Sequence, residues 1–188
     1  MLTIPNALTF LRFLGIPLFI YLALSKNADG WAILVLAIGG ATDYFDGKLA
    51  RALNQESKFG EIADPTIDRL YIAATLAVLY MRDAIPLWLI AILVARDLFM
   101  AGVALVLQLK GYQPLKVTYL GKAATFNLLY AFPFLLLALS DTWYGTAAFI
   151  FGWAFAIWGV TLYIGTAVGY FRTAVKTITV RPRIIEGL

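Results

Sequence analysis

The chain has 188 residues, of which 62% are hydrophobic and 14% charged; an average soluble domain is roughly half apolar and about a quarter charged, so lipid is the expected solvent for a single domain of this length. It contains no cysteine and no histidine, which excludes disulfides, thiol nucleophiles, thiolate metal sites and histidine base chemistry, and makes zinc a poor candidate metal. The formal net charge of +4 and pI of about 9.3 read, in so apolar a chain, as cytoplasmic loop charge rather than nucleic-acid binding.

A membrane-spanning helix needs about 20 mostly apolar residues, and six candidates follow one another along the chain. Residues 1–20 make no clean secretory signal, because no positive segment opens them and Arg12 interrupts the apolar run. Residues 4–13, with Pro5 near the start, read as a short amphipathic interfacial helix leading into a first span over residues 16–25. Further spans are expected over residues 31–51, 62–80, 85–109, 119–140 and 145–171. The fold class is therefore an all-α membrane bundle of six helices, with one membrane domain over residues 1–172 and a polar, basic tail over 173–188.

Basic residues sort between the loops. Lys48, Arg51 and Lys58 follow the second span, Lys110, Lys116 and Lys122 the fourth, and Arg172, Lys176, Arg181 and Arg183 the sixth, whereas the opposite loops hold only Lys26 and Arg82. This bias predicts that both termini are cytoplasmic. Arg69 and Arg96 remain within or at the edge of spans. Trp31, Trp88 and Trp143 fall near the non-cytoplasmic helix ends, as an interfacial belt requires. Gly145, Gly152, Gly159, Gly165 and Gly169 in the last span are suited to close helix packing, including a dimer face.

The carboxylates carry the chemistry. Asp43 and Asp46 lie three apart near the inner end of the second span; Asp64 and Asp68 lie four apart near the inner end of the third. Those spacings put each pair on one helix face, and the short connection predicts two adjacent antiparallel helices that bring all four acids together. Clustered carboxylates at membrane depth are either partly protonated or neutralised by cations. With no imidazole or thiolate available, the donor set favours Mg²⁺, Mn²⁺ or Ca²⁺, and four acids suffice for a two-ion site. Read singly, each has a plainer account; Asp64, followed by Pro65, suits a helix cap. Gly47, Ala50 and Gly60 remove bulk beside the acids, which serves either ligand approach or helix packing. Arg51 is placed for a phosphate or pyrophosphate.

The pattern Asp43-xx-Asp46-Gly47-xx-Ala50-Arg51, eight residues, then Gly60-xxx-Asp64-xxx-Asp68 resembles the complete signature of the CDP-alcohol phosphatidyltransferases. Asn6, Thr9 and Arg12 are similar to that family's N-terminal pattern, and Gly121–Thr125 resembles the start of its fifth span. The resemblance implies CDP-diacylglycerol as donor, CMP as leaving group, two Mg²⁺ or Mn²⁺ ions, and a homodimer. It implies Asp43, Asp46, Asp64 and Asp68 as metal ligands and Asp68 as the base that takes the acceptor's proton. Asn6, Thr9, Arg12, Gly47, Ala50, Arg51 and Gly60 are the expected donor-binding residues.

Arg96, Lys116, Lys122, Thr125 and Arg172 are the candidate acceptor-binding residues. Arg96 adjoins Asp97, so local pairing is its plainer account, and Lys116 and Arg172 also suit solvent or lipid headgroups. Several cations favour an acceptor that carries phosphate. Glycerol 3-phosphate is the first expectation, giving phosphatidylglycerophosphate. Phosphatidylglycerol, giving cardiolipin, and inositol phosphate are the alternatives. Enzymes of the glycerophosphate type often carry Arg-Glu where this chain has Arg96-Asp97, which weakens the first expectation. A divalent cation transporter would also explain the acids, but gives no role to Arg51 or the glycine spacing; no inverted repeat supports it.

Overall fold

A computed structural model of the protein describes residues 4–26, 28–53, 58–113 and 118–180, with side chains for residues 9–26, 28–42, 66–113 and 118–179. The described residues are helical with no strand. Helix α1 covers Ile4–Ile20 and passes without interruption into a π-helical turn, Tyr21–Ser25. Helices α2 (Asp29–Leu53), α3 (Lys58–Met81), α4 (Leu87–Leu109), α5 (Tyr119–Leu137) and α6 (Trp143–Val180) follow.

Two of these boundaries differ from expectation. The interfacial helix and first span are one element, because Pro17 is accommodated inside α1. Proline removes an N–H and crowds the carbonyl four residues earlier, and the wider turn begins four residues after it. Residues 173–180, read as surface tail, continue α6; residues 181–188 lie outside the described set. The hydroxyls of Thr173, Thr177 and Thr179 donate to the carbonyls of Gly169, Thr173 and Val175. Each thus hides its polarity against the helix's own backbone. At 38 residues, α6 is about 57 Å long.

The chain divides into two compact units. The first comprises Met1–Ile85 and Phe132–Phe149. Phe19, Ala23, Ala32, Val78, Leu79, Ile85, Leu135 and Leu136 are its buried positions. Here α1 packs on both α2 and α3. Arg82, just past α3, pairs with Asp29 at the start of α2 and donates to the carbonyl of Ala23 in the middle of the π turn, 3.2 Å away. The end of α3 therefore meets the start of α2, so these two helices run antiparallel, as expected. Arg82, expected as a loop cation, is a structural tie: both side chains are largely buried, and a buried ion requires such a partner. Asp83 takes a positive φ of 56° in the turn that follows, a conformation aspartate tolerates better than most residues.

The second unit comprises Pro86–Ala131 and Ile150–Leu188. Helix α4 starts after the extended Pro86. It ends at Gly111, whose φ of 75° lets the Gly111 and Tyr112 amides return to the carbonyls of Gln108 and Leu107. The Thr118 hydroxyl caps α5 by accepting from the Gly121 amide, and the Thr118 backbone N–H donates to the Tyr170 hydroxyl of α6 at 2.7 Å. Leu128 packs where a side chain on Gly159 would stand, and Tyr130 meets Phe155. Contacts that pair rising α5 numbers with falling α6 numbers make this an antiparallel hairpin.

Among the described residues, three helices are long and apolar enough to cross a membrane: Leu87–Leu109, Tyr119–Leu137 and Trp143–Thr179. Thr9–Ser25 and Asp29–Thr42 are shorter apolar stretches. Six α-helices occur among the described residues, three of which meet that measure; the signature carboxylates lie in the second half of α2 and the first half of α3 and interrupt the apolar character of those two helices. Many large apolar side chains face outward, among them Leu98, Leu109, Ile150 and Trp158; so much exposed apolar surface is suited to lipid.

Candidate active site

The candidate donor and metal residues fall on α1, α2 and α3. Tyr71 of α3 sets their register. Its hydroxyl stands where a side chain on Gly15 of α1 would overlap it, and 3.0 Å from where a Cβ on Gly39 of α2 would sit. Glycine at both positions is what lets three helices close around one tyrosine. One turn along α1 and α3 from that contact, the Arg12 guanidinium reaches the Asp68 carboxylate, Nη2 to Oδ1 at 3.0 Å. Since 12 meets 68 and 15 meets 71, α1 and α3 run in the same sense.

The same register fixes the backbone positions of the other acids. Asp43 follows Gly39 by four residues and Asp68 precedes Tyr71 by three. On antiparallel helices, both therefore lie on the same side of the Gly39–Tyr71 contact, toward the α2–α3 connection. Asp46 and Asp64 lie further in that direction, with Gly47, Ala50 and Arg51 on α2 and Gly60 near the start of α3. Of the four acids, Asp68 is the one whose side chain is described. Expectations for the side chains of Asn6, Asp43, Asp46, Gly47, Ala50, Arg51, Gly60 and Asp64 lie outside the described set, and Lys116 lies outside it altogether. Thr9 and Arg12 are both buried, three residues apart on one face of α1.

The charges of the Arg12–Asp68 pair are differently placed. The Arg12 side chain is 1% exposed and that of Asp68 is 47% exposed. A molecule entering from outside meets the carboxylate, with the guanidinium behind it. Spacing within the sequence does not reveal this pairing; the family resemblance gives Arg12 as a donor-binding residue, and in the structure its guanidinium lies against Asp68. The available signal was the repeat of Asn6, Thr9 and Arg12 at helical spacing, which marks a face but not what it faces.

The acceptor-side candidates with described side chains belong to the second unit. Arg96 and Asp97 of α4 pair at 3.1 Å. The Arg96 guanidinium stacks on the Tyr163 ring of α6, 3.7 Å from its centroid, and the Tyr163 hydroxyl donates to Asp97 at 2.6 Å. The buried Arg96 Nε has no hydrogen-bond partner among the described residues. Tyr163 was not singled out from the sequence, since a tyrosine in an apolar run carries no distinguishing mark. Lys122 and Thr125 lie in the first turns of α5. The Lys122 ammonium is 5.8 Å from the Tyr119 ring, and the Thr125 hydroxyl is bonded to the Gly121 carbonyl. Arg172 is exposed, two residues beyond the Tyr170 that contacts Thr118.

Comparison with known proteins decides what this architecture belongs to. Residues 2–158 match the CDP-alcohol phosphatidyltransferase family. The chain belongs to that family. It is 51% identical over 174 residues to the cardiolipin synthase (CMP-forming) of Streptomyces coelicolor, covering 90% of this chain and 81% of that one. It is 31% identical over 151 residues to the CDP-diacylglycerol–glycerol-3-phosphate 3-phosphatidyltransferase of Bacillus subtilis, covering 73% of this chain and 78% of the other. The protein is thus a CDP-alcohol phosphatidyltransferase, an enzyme of phospholipid synthesis, and the transporter reading is set aside. The family is generally dependent on divalent metal. This chain's donor set fits that requirement: the signature acids are hard oxygen ligands, and the α2–α3 register directs them to one end of the hairpin.

Proposed function

We propose that this enzyme transfers the phosphatidyl group of CDP-diacylglycerol to phosphatidylglycerol, forming cardiolipin and releasing CMP. The observation that carries the acceptor is the 51% identity, over 90% of the chain, to a protein named cardiolipin synthase (CMP-forming). Glycerol 3-phosphate, the first expectation from the sequence, has the support of the 31% relative and is the second reading. The Arg96-Asp97 dipeptide, in place of Arg-Glu, weakens the glycerol 3-phosphate reading.

In this reading Asp43, Asp46, Asp64 and Asp68 hold two Mg²⁺ or Mn²⁺ ions, which when bound neutralise the pyrophosphate and the charge that develops on it. Gly47, Ala50 and Gly60 leave room for the cytidine; Arg51 meets the phosphates; Asn6 and Thr9 complete the donor site. Asp68 takes the proton of the acceptor hydroxyl, whose oxygen bonds to the phosphorus next to diacylglycerol as the bond to CMP breaks. A carboxylate is the base available to a chain without histidine. Arg96, Lys116, Lys122, Thr125 and Arg172 serve the acceptor's phosphate, with Arg96 held ready by Asp97 and Tyr163. The site faces the cytoplasm, with both termini on that side, and the enzyme acts as a homodimer.

The purified protein should be incubated with Mn²⁺, labelled CDP-diacylglycerol and, separately, phosphatidylglycerol, glycerol 3-phosphate or inositol phosphate. Cardiolipin formed one-for-one with CMP supports the proposal. Phosphatidylglycerophosphate as the main product replaces it with the second reading.

A further inference from the structure

We propose that Arg12 is a positioning residue for Asp68: it fixes the carboxylate that accepts the acceptor's proton, and it is not itself a ligand of the donor. The proposal rests on Asp68 being the base, as argued above.

Three observations carry it. The guanidinium engages Asp68 across two helices at 3.0 Å. Its own side chain is 1% exposed, so it offers a substrate almost no surface, whereas the carboxylate it holds is half open. One turn further along both helices, the Tyr71 hydroxyl is seated at Gly15, where a side chain would overlap it. That seat stops α1 from sliding along α3, so Arg12 remains opposite Asp68. An aspartate carboxyl turns freely about its last torsion, and a base must present its oxygen within hydrogen-bond reach of the proton it takes. A buried guanidinium 3.0 Å behind one oxygen limits that freedom by charge attraction, an ion-pair contact without the alignment of a hydrogen bond, and a more mobile ammonium limits it less.

The test uses the full-length enzyme in lipid vesicles, with Arg12→Gln, Arg12→Lys, Asp68→Asn and the Arg12→Gln/Asp68→Asn double variant. Turnover and KM for CDP-diacylglycerol are measured, and Mn²⁺ binding is followed by electron paramagnetic resonance without substrate. Arg12→Gln should lower kcat by about 10–100-fold, the range for groups that orient a working ligand, while leaving donor KM and Mn²⁺ affinity within about threefold. Arg12→Lys should recover part of the rate; should the glutamine variant not fold, this variant alone must still show a loss in kcat with KM held. Adding Arg12→Gln to Asp68→Asn should cost no more than about twofold, because a residue that works through another loses its effect when that partner is gone. A donor KM raised more than about tenfold with kcat kept would make Arg12 a donor ligand and overturn the proposal, as would effects that multiply in the double variant or a tenfold loss of Mn²⁺ affinity. Failure of the underlying reading looks different: Asp68→Asn alone would then keep its rate.

Discussion

Each unit pairs a candidate site arginine with an aspartate, Arg12 with Asp68 in the first and Arg96 with Asp97 in the second, and the two pairs do different work. Arg12 and Asp68 come from different helices, so their contact fixes how α1 and α3 align. Arg96 and Asp97 are neighbours on α4, and their contact aligns nothing by itself; Tyr163 supplies the cross-helix link by stacking on one and donating to the other. A charge pair inside an apolar helix set therefore acts as a register device only when its partners sit on separate elements. Otherwise a third residue must carry the connection.

Five substitutions, one of them with a rescuing partner, separate these roles. The largest effect belongs to Asp68→Asn, which should lower turnover by about 10²–10⁴-fold, the cost of removing a general base, with CDP-lipid still bound; loss of donor binding in a nucleotide-lipid binding assay would instead make Asp68 chiefly a donor-site residue. Next comes Asp29→Ala, which leaves the largely buried Arg82 guanidinium without its carboxylate and should destabilise the first unit by about 3 kcal/mol. Thermal unfolding in detergent reads this, and an unchanged midpoint would show that the tie contributes nothing. Gly15→Ala should cost about 1–3 kcal/mol by overpacking against Tyr71. Combining it with Tyr71→Phe should restore most of that stability, because the overlap is with the hydroxyl while the ring carbon behind it would stand 3.4 Å away. Gly39→Ala should be rescued less, since ring carbon and hydroxyl there are both at 3.0 Å. The smallest effect is expected for Tyr163→Phe, which loses one hydrogen bond to Asp97, about 1 kcal/mol, and keeps the ring under Arg96. A rise in acceptor KM with little change in unfolding temperature would tie Arg96 to the acceptor phosphate; a stability change alone would make the trio structural.

Much of the fold was legible because it is written in local composition. The expected end of α4 at Leu109 and start of α5 at Tyr119 coincide with the observed ones: glycine and proline punctuate the segment between them, and hydropathy falls there. Where expectation and structure part, a local rule was outvoted. Residues 4–20, read as an interfacial helix leading into a separate span, form one helix that holds Pro17 within it and runs on into the π turn. Residues 173–180, expected within the polar tail, are helical and extend α6. In the candidate site, the Asp43–Asp46 and Asp64–Asp68 spacings were legible because each pair shares one helix. Arg12 opposite Asp68, Arg82 on Asp29, and Tyr163 joining Arg96 to Asp97 were not. Each depends on which helices become neighbours, and periodicity within one helix carries no such information.

The length of α6 has a geometric consequence. At the steep end of helix tilt, about 40° from the bilayer normal, a rod of about 57 Å still projects about 44 Å along that normal, against roughly 30 Å of hydrocarbon. No tilt in the usual range submerges it, so part of this helix stands in the headgroup layer or beyond. Arg172 and Lys176 lie within its last nine residues, where the emerging portion would place their charges among anionic lipid phosphates. A thicker or thinner bilayer would then shift how far those two cations protrude, making the helix a gauge of the membrane that holds it.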